Sequence, residues 1–97
     1  MSATTLADTG SVYVTGRAMI AYARARDLQE EEARRELTRL LMGARRKGPS
    51  QTGAEQWRAR TRSLGVDVTA HVVPDEVDSR IQVVTHVAVR PVAGRRR

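Results

Sequence analysis

The chain contains no cysteine, so it can form neither a disulfide framework nor a thiolate metal or redox site. A secreted, disulfide-stapled mini-protein is thereby excluded, and a reducing compartment is expected. Phenylalanine is also absent, and the aromatic residues are one Trp and two Tyr. A core must then be built from Val, Leu, Ile, Ala and Met. The same scarcity counts against binding single-stranded nucleic acid by base stacking, which needs aromatic platforms; Trp57, Tyr13 and Tyr22 offer few. No stretch approaches the ~20 apolar residues of a membrane span, and the opening MSATTLADTG has neither the basic start nor the apolar run of a secretory signal. A soluble, cytoplasmic protein without a membrane partner is expected. Lysine, too, is nearly missing: Lys47 is the single lysine among 17 basic residues.

What the sequence has is arginine. Its 17 basic residues outweigh 11 acidic ones, giving a net charge of +6 on 97 residues. A chain of this length buries roughly 60–70% of its unfolded surface and cannot sustain a second independent core, so one domain is expected. With 40% hydrophobic and 29% charged residues the composition is that of a folding globular chain, not of a disordered one. Positive charge at this density predicts salt-sensitive attraction to phosphate backbones, with nucleic acid as the partner. GC-rich coding also raises arginine content, so part of the charge is explained by composition alone.

Along the chain, residues 1–10 read as a flexible leader, 11–90 as a single domain and 91–97 as a basic tail. SVYVT (Ser11–Thr15) is rich in β-formers and reads as a short strand. GRAMIAYARAR (Gly16–Arg26) reads as a helix, with Thr15 placed to cap it. Asp27 and Glu30 stand at capping-box spacing, which predicts a second helix from Leu28. Its acidic first turn Glu30–Glu32 and basic last turn Arg45–Lys47 suit the helix dipole, and Ala33, Leu37, Leu40, Leu41 and Ala44 form its apolar stripe. Lys47–Ala54 holds Gly48, Pro49 and Gly53 and reads as a loop.

The rest of the chain alternates with period two. Trp57, Ala59 and Thr61 oppose Arg58, Arg60 and Arg62; Val66, Val68, Ala70 and Val72 oppose Asp67, Thr69, His71 and Val73; Ile81, Val83, Thr85, Val87 and Val89 oppose Gln82, Val84, His86, Ala88 and Arg90. These are three antiparallel strands, so the expected fold is α+β: a short N-terminal strand and two helices packed on a three- to four-stranded antiparallel sheet.

The apolar alternation sets an expected register. Thr61 pairs with Val66, and Val72 pairs with Ile81. On the opposite face this register lines up Arg60, Asp67 and His86 in one row, and puts His71 in a different row from His86. Arg58, Arg60, Arg62, His71 and Arg90 become the candidate nucleic-acid-binding residues. His86, Asp67 and Arg60 become the candidate catalytic ones: Asp67 orients His86, and the arginines hold a phosphate, a combination suited to metal-independent RNA cleavage. The plainer alternative is that Asp67 is a cross-strand charge partner and both histidines are solvent-facing strand residues. Without Cys or paired carboxylates near the histidines no metal site is expected, and no cofactor motif occurs.

The segment VYVTGRAMIAYARARDLQEEEARRELTRLLMGARR resembles the opening of small RelE-like domains of bacteria and phages. In these a short strand ending in Thr leads into an Ala-, Tyr- and Arg-rich helix, a helix of EEARxEL type and an antiparallel sheet. The resemblance spans Ser11–Arg90 and implies a toxin-like fold whose sheet binds RNA, with an antitoxin as frequent partner. It points to Arg58, Arg60, His71, His86 and Arg90 by position. The chain departs from the active pattern in lacking a C-terminal Tyr and any strand Lys, and in carrying Arg17 where a His often stands. Two expectations stay open: RNA, ahead of DNA, bound with or without cleavage; or a non-catalytic phage or mobile-element protein that acts by self-assembly, for example as a homodimer, or by contact with a host protein.

Overall fold

The computed structural model describes residues 4–49 and 53–92. It is an α+β structure with two helices and a five-stranded mixed sheet. Strand β1 (Ser11–Val14) leads through Thr15 into α1 (Gly16–Arg26), then α2 (Glu30–Met42), β2 (Arg45–Pro49), β3 (Glu55–Thr61), β4 (Val66–Pro74) and β5 (Ile81–Pro91). The strand order is β1-β5-β4-β3-β2, with β1 parallel to β5 and the other pairs antiparallel. The three- to four-stranded, wholly antiparallel sheet expected from the alternation is therefore corrected on two counts: β2 is an added strand, and β1 joins in parallel.

The α1 start follows the sequence reading, because the Thr15 hydroxyl accepts a bond from the Ala18 amide at 3.3 Å. The α2 start does not. Asp27 lies in the left-handed region at φ 56° and closes α1 instead of opening α2, whose cap residue is Gln29 without a side-chain bond. Asp and Asn tolerate this conformation better than other non-glycine residues, which is why the boundary uses Asp27. At its other end α2 stops at Met42, and Arg45–Lys47 belong to an edge strand rather than to a last helical turn. RRKGP has no apolar alternation. It forms a strand because β3 offers a partner, Arg46 opposite Trp57 and Arg45 opposite Arg58, and because Arg46 pairs with Glu55 at 2.9 Å. A charged, Pro-terminated edge also resists pairing with other chains.

Both helices contribute to one core. Met19, Tyr22, Leu37 and Leu41 pack with Val14, Trp57, Val66, Val68, Val72 and Val84. Each such aliphatic side chain contributes about 1.5–3 kcal/mol on full burial. The leader is not loose throughout: Leu6 is fully buried, its amide donates to the Ala44 carbonyl at 2.9 Å, and Leu6–Thr9 forms a 3-10 turn. Gly10 then passes so close to Arg80 that a β-carbon would lie 1.9 Å from its carbonyl oxygen, so only glycine fits. Residues 93–97 of the expected basic tail lie outside the described residues, while Pro91 ends β5 and the Val92 amide bonds Gly65 at 3.0 Å. Among the described residues no helix is long and apolar enough to cross a membrane.

Candidate nucleic-acid interface

The helices cover one face of the sheet, so the other face carries whatever the strands point away from the core. β3 and β4 pair as the alternation predicts: Thr61 opposite Val66, Ala59 opposite Val68, Trp57 opposite Ala70. The pairing of β4 with β5 is different. Val72 meets Val84 instead of Ile81, Ala70 meets Val87, and the register shifts between His71 and Val72. Thr85 is an extra residue on β5, a bulge that changes which residues face inward. Beyond it, Val87 and Val89 pack on the core; before it, Val84 is fully buried, so Val83 is turned to the outer face. The expected inward set Ile81, Val83 and Thr85 is thus corrected to Val84. Adjacent apolar residues in the run IQVVT leave the period undecided, and β1 decides it: Val14 pairs with Val84, and the Thr15 amide and hydroxyl both donate to the Val84 carbonyl, at 3.2 and 2.9 Å.

The bulge rearranges the functional rows. Arg60, Asp67 and Arg90 are neighbours across β3, β4 and β5; Arg58 neighbours Thr69 and Ala88, with Arg45 on its other side; Gln56 neighbours His71 and His86. The expected Arg60–Asp67–His86 row does not exist. His86 stands four strand positions from the partner of Asp67, roughly 13 Å at the ordinary rise per residue. Asp67 is instead held by Arg58, whose Nε donates to Oδ1 at 2.9 Å while a second guanidinium nitrogen bonds Oδ2. That bidentate bond, followed by the nearby charges of Arg60 and Lys47, keeps the Asp67 carboxyl below the usual carboxylate range.

His71 and His86, expected in separate rows, face each other with ring centroids 6.2 Å apart and planes at 74°. His86 has a polar setting of its own. Its Nδ1 is 3.1 Å from the Thr85 hydroxyl, which donates to the His71 carbonyl at 3.3 Å, and Arg17 Nη1 approaches Nε2 at 3.5 Å. A guanidinium can only donate, so in this arrangement Nε2 accepts and Nδ1 carries the hydrogen toward Thr85. Arg17 reaches the histidine because the parallel β1–β5 pairing brings the start of α1 beside the bulge.

The basic end of this face continues over the sheet edge. Where β2 leaves α2, an open depression of about 570 Å³ is lined by Arg39, Arg45, Arg46, Lys47, Arg58 and Arg60, together with Leu40, Gly43 and Ala59. Arg62 lies just past β3, exposed in the turn that leads to β4. The sequence reading missed Arg17, Arg39, Arg45 and Lys47 as site residues. The RRK triplet is the available signal, but a basic run after an apolar stripe equally suits a helix end.

No protein-family model, curated protein or solved structure matches this chain. The interface therefore rests on its own geometry.

Proposed function

We propose that the chain binds nucleic acid, RNA ahead of DNA, through the Arg- and His-bearing outer face of a RelE-like sheet. The observation that carries this reading is the convergence of Arg45, Arg58, Arg60 and Arg90 from three strands onto one uncovered face, with the single carboxylate Asp67 among them already engaged by Arg58. Guanidinium groups suit phosphate oxygens because they offer paired donors in one plane. Amide chemical-shift mapping on the full chain tests it: adding single-stranded RNA should perturb the outer-face residues of β3, β4 and β5. Shifts confined to the helices would refute it.

A second reading, cleavage of the bound RNA, is favoured by the His71–His86 pair. Two imidazoles 6.2 Å apart can divide the work of phosphodiester cleavage, one accepting a proton from the attacking 2′-hydroxyl and the other supplying one to the leaving oxygen. Arg58 or Arg17 would stabilise the charge that develops on the phosphate. Asp67 has no part in this version. Cleavage of a labelled RNA should then be lost in His86→Ala; equal cleavage by wild type and variant would remove His86 from the reaction.

A further inference from the structure

We infer that the depression between the end of α2 and the β2–β3 edge is a second anion site, which takes consecutive phosphates of the same nucleic-acid strand that lies on the sheet face. The inference rests on the proposed nucleic-acid reading and extends it around the edge of the sheet. Six cationic side chains converge there, and no carboxylate lines the space among the described residues. Arg46 and Arg58 are paired with Glu55 and Asp67. Arg39, Arg45, Lys47 and Arg60 are exposed and make no ion pair with any other described residue. Gathering these cations at one place, with only the Asp67 carboxylate near Arg60 and Lys47 to offset them, is unfavourable unless a further anion binds.

The surrounding backbone fits such a ligand. β2 pairs with β3 only as far as Arg58, so Ala59–Thr61 have an open edge on that side, and alternate residues of a strand turn their amides toward it. The carbonyl end of α2 at Gly43 draws the cations toward the depression, and the attraction for an anion comes from those side chains and not from the helix end, whose partial charge is negative. Arg58 and Arg60 belong to both the face and the depression, so one strand can pass from one to the other without a gap. Two features argue against a stacking pocket for bases: the apolar side chains lining the space are only Leu40 and Ala59, and no aromatic side chain lines it. The ligand part is the backbone, not the base.

The test uses the full chain and a fluorescent single-stranded oligoribonucleotide, with affinity measured over a series of salt concentrations. Arg39→Gln/Lys47→Gln alters the depression alone, Arg90→Gln alters the face alone, and Arg24→Gln/Arg34→Gln is a charge-matched control on exposed helix surface. The inference predicts that the log–log salt slope of the depression variant falls by about 1.4, at ~0.7 per lost phosphate contact, while the control keeps the wild-type slope. If Arg90→Gln lowers the slope but Arg39→Gln/Lys47→Gln does not, the depression is not a phosphate site and the face reading survives. If wild type itself binds without salt sensitivity, both fail.

Discussion

His71 and His86 stand opposite each other across β4 and β5 because Thr85 is an extra residue in β5, held by its hydroxyl on the His71 carbonyl. Deleting Thr85 would make Val84 and His86 adjacent, which restores regular alternation with Val84, Val87 and Val89 still facing the helices opposite Val72, Ala70 and Val68. The deletion then removes chiefly the Thr85 hydroxyl bond to the His71 carbonyl, which costs about 0.5–1.5 kcal/mol, read as a slightly lower urea midpoint. A loss of several kcal/mol would mean that β4 and β5 cannot keep this register without the extra residue.

The same residue marks the limit of what could be read from the chain. The β3–β4 pairing was legible because Trp57, Ala59, Val66, Val68, Ala70 and Val72 alternate cleanly with polar residues, and one register alone buries them all. β5 was not, since Val83 and Val84 are adjacent and a bulge leaves no mark in composition. β2 was hidden for the opposite reason, having no apolar residue to betray a strand. Arg58, Arg60, His71, His86 and Arg90 were legible as strand residues opposite the apolar set, but which of them are neighbours depends on a parallel contact between Val14 and Val84, 70 residues apart. Local patterns carry no record of such a contact.

Leu6 anchors a segment that composition would leave free. Leu6→Ala should destabilise the fold by about 2–5 kcal/mol, the usual range for a fully buried leucine. Thermal melting checks this, and an unaltered transition would show the segment to be unimportant for stability.

Tyr22, Glu36 and Arg26 tie α1 to α2. The Tyr22 hydroxyl donates to Glu36 Oε2, and Arg26 Nε donates to the same oxygen at 2.8 Å. The Arg26 bond above all, with help from Tyr22, holds the Glu36 carboxyl below its ordinary value; burial opposes this. A carboxyl lowered in the folded state stabilises above its unfolded pKa, and the contribution is lost as pH falls through the folded one. The stability difference between wild type and Glu36→Gln should therefore be full at neutral pH and shrink between about pH 5 and pH 2. Tyr22→Phe should cost about 1.5–3 kcal/mol at neutral pH, because it removes a bond to a charged acceptor. A pH-independent difference would contradict the coupling.

Asp67 restrains the basic face by occupying Arg58. Asp67→Asn should raise RNA affinity at low salt and steepen the log–log slope by ~0.7, as one more guanidinium becomes available. Since Arg58 is 44% exposed, solvent screens the pair, and stability should change by no more than about 1 kcal/mol. Weaker RNA binding by Asp67→Asn would mean that the carboxylate positions Arg58 for the ligand.

The central claim is that the uncovered sheet face meets a phosphate backbone. Fluorescence-anisotropy titration of single-stranded RNA across a salt series, on wild type and on Arg60→Gln/Arg90→Gln, tests it most directly. Wild type should bind in a salt-sensitive manner, and the slope of the variant should be lower by about 1.4. Equal slopes in the two proteins would contradict it.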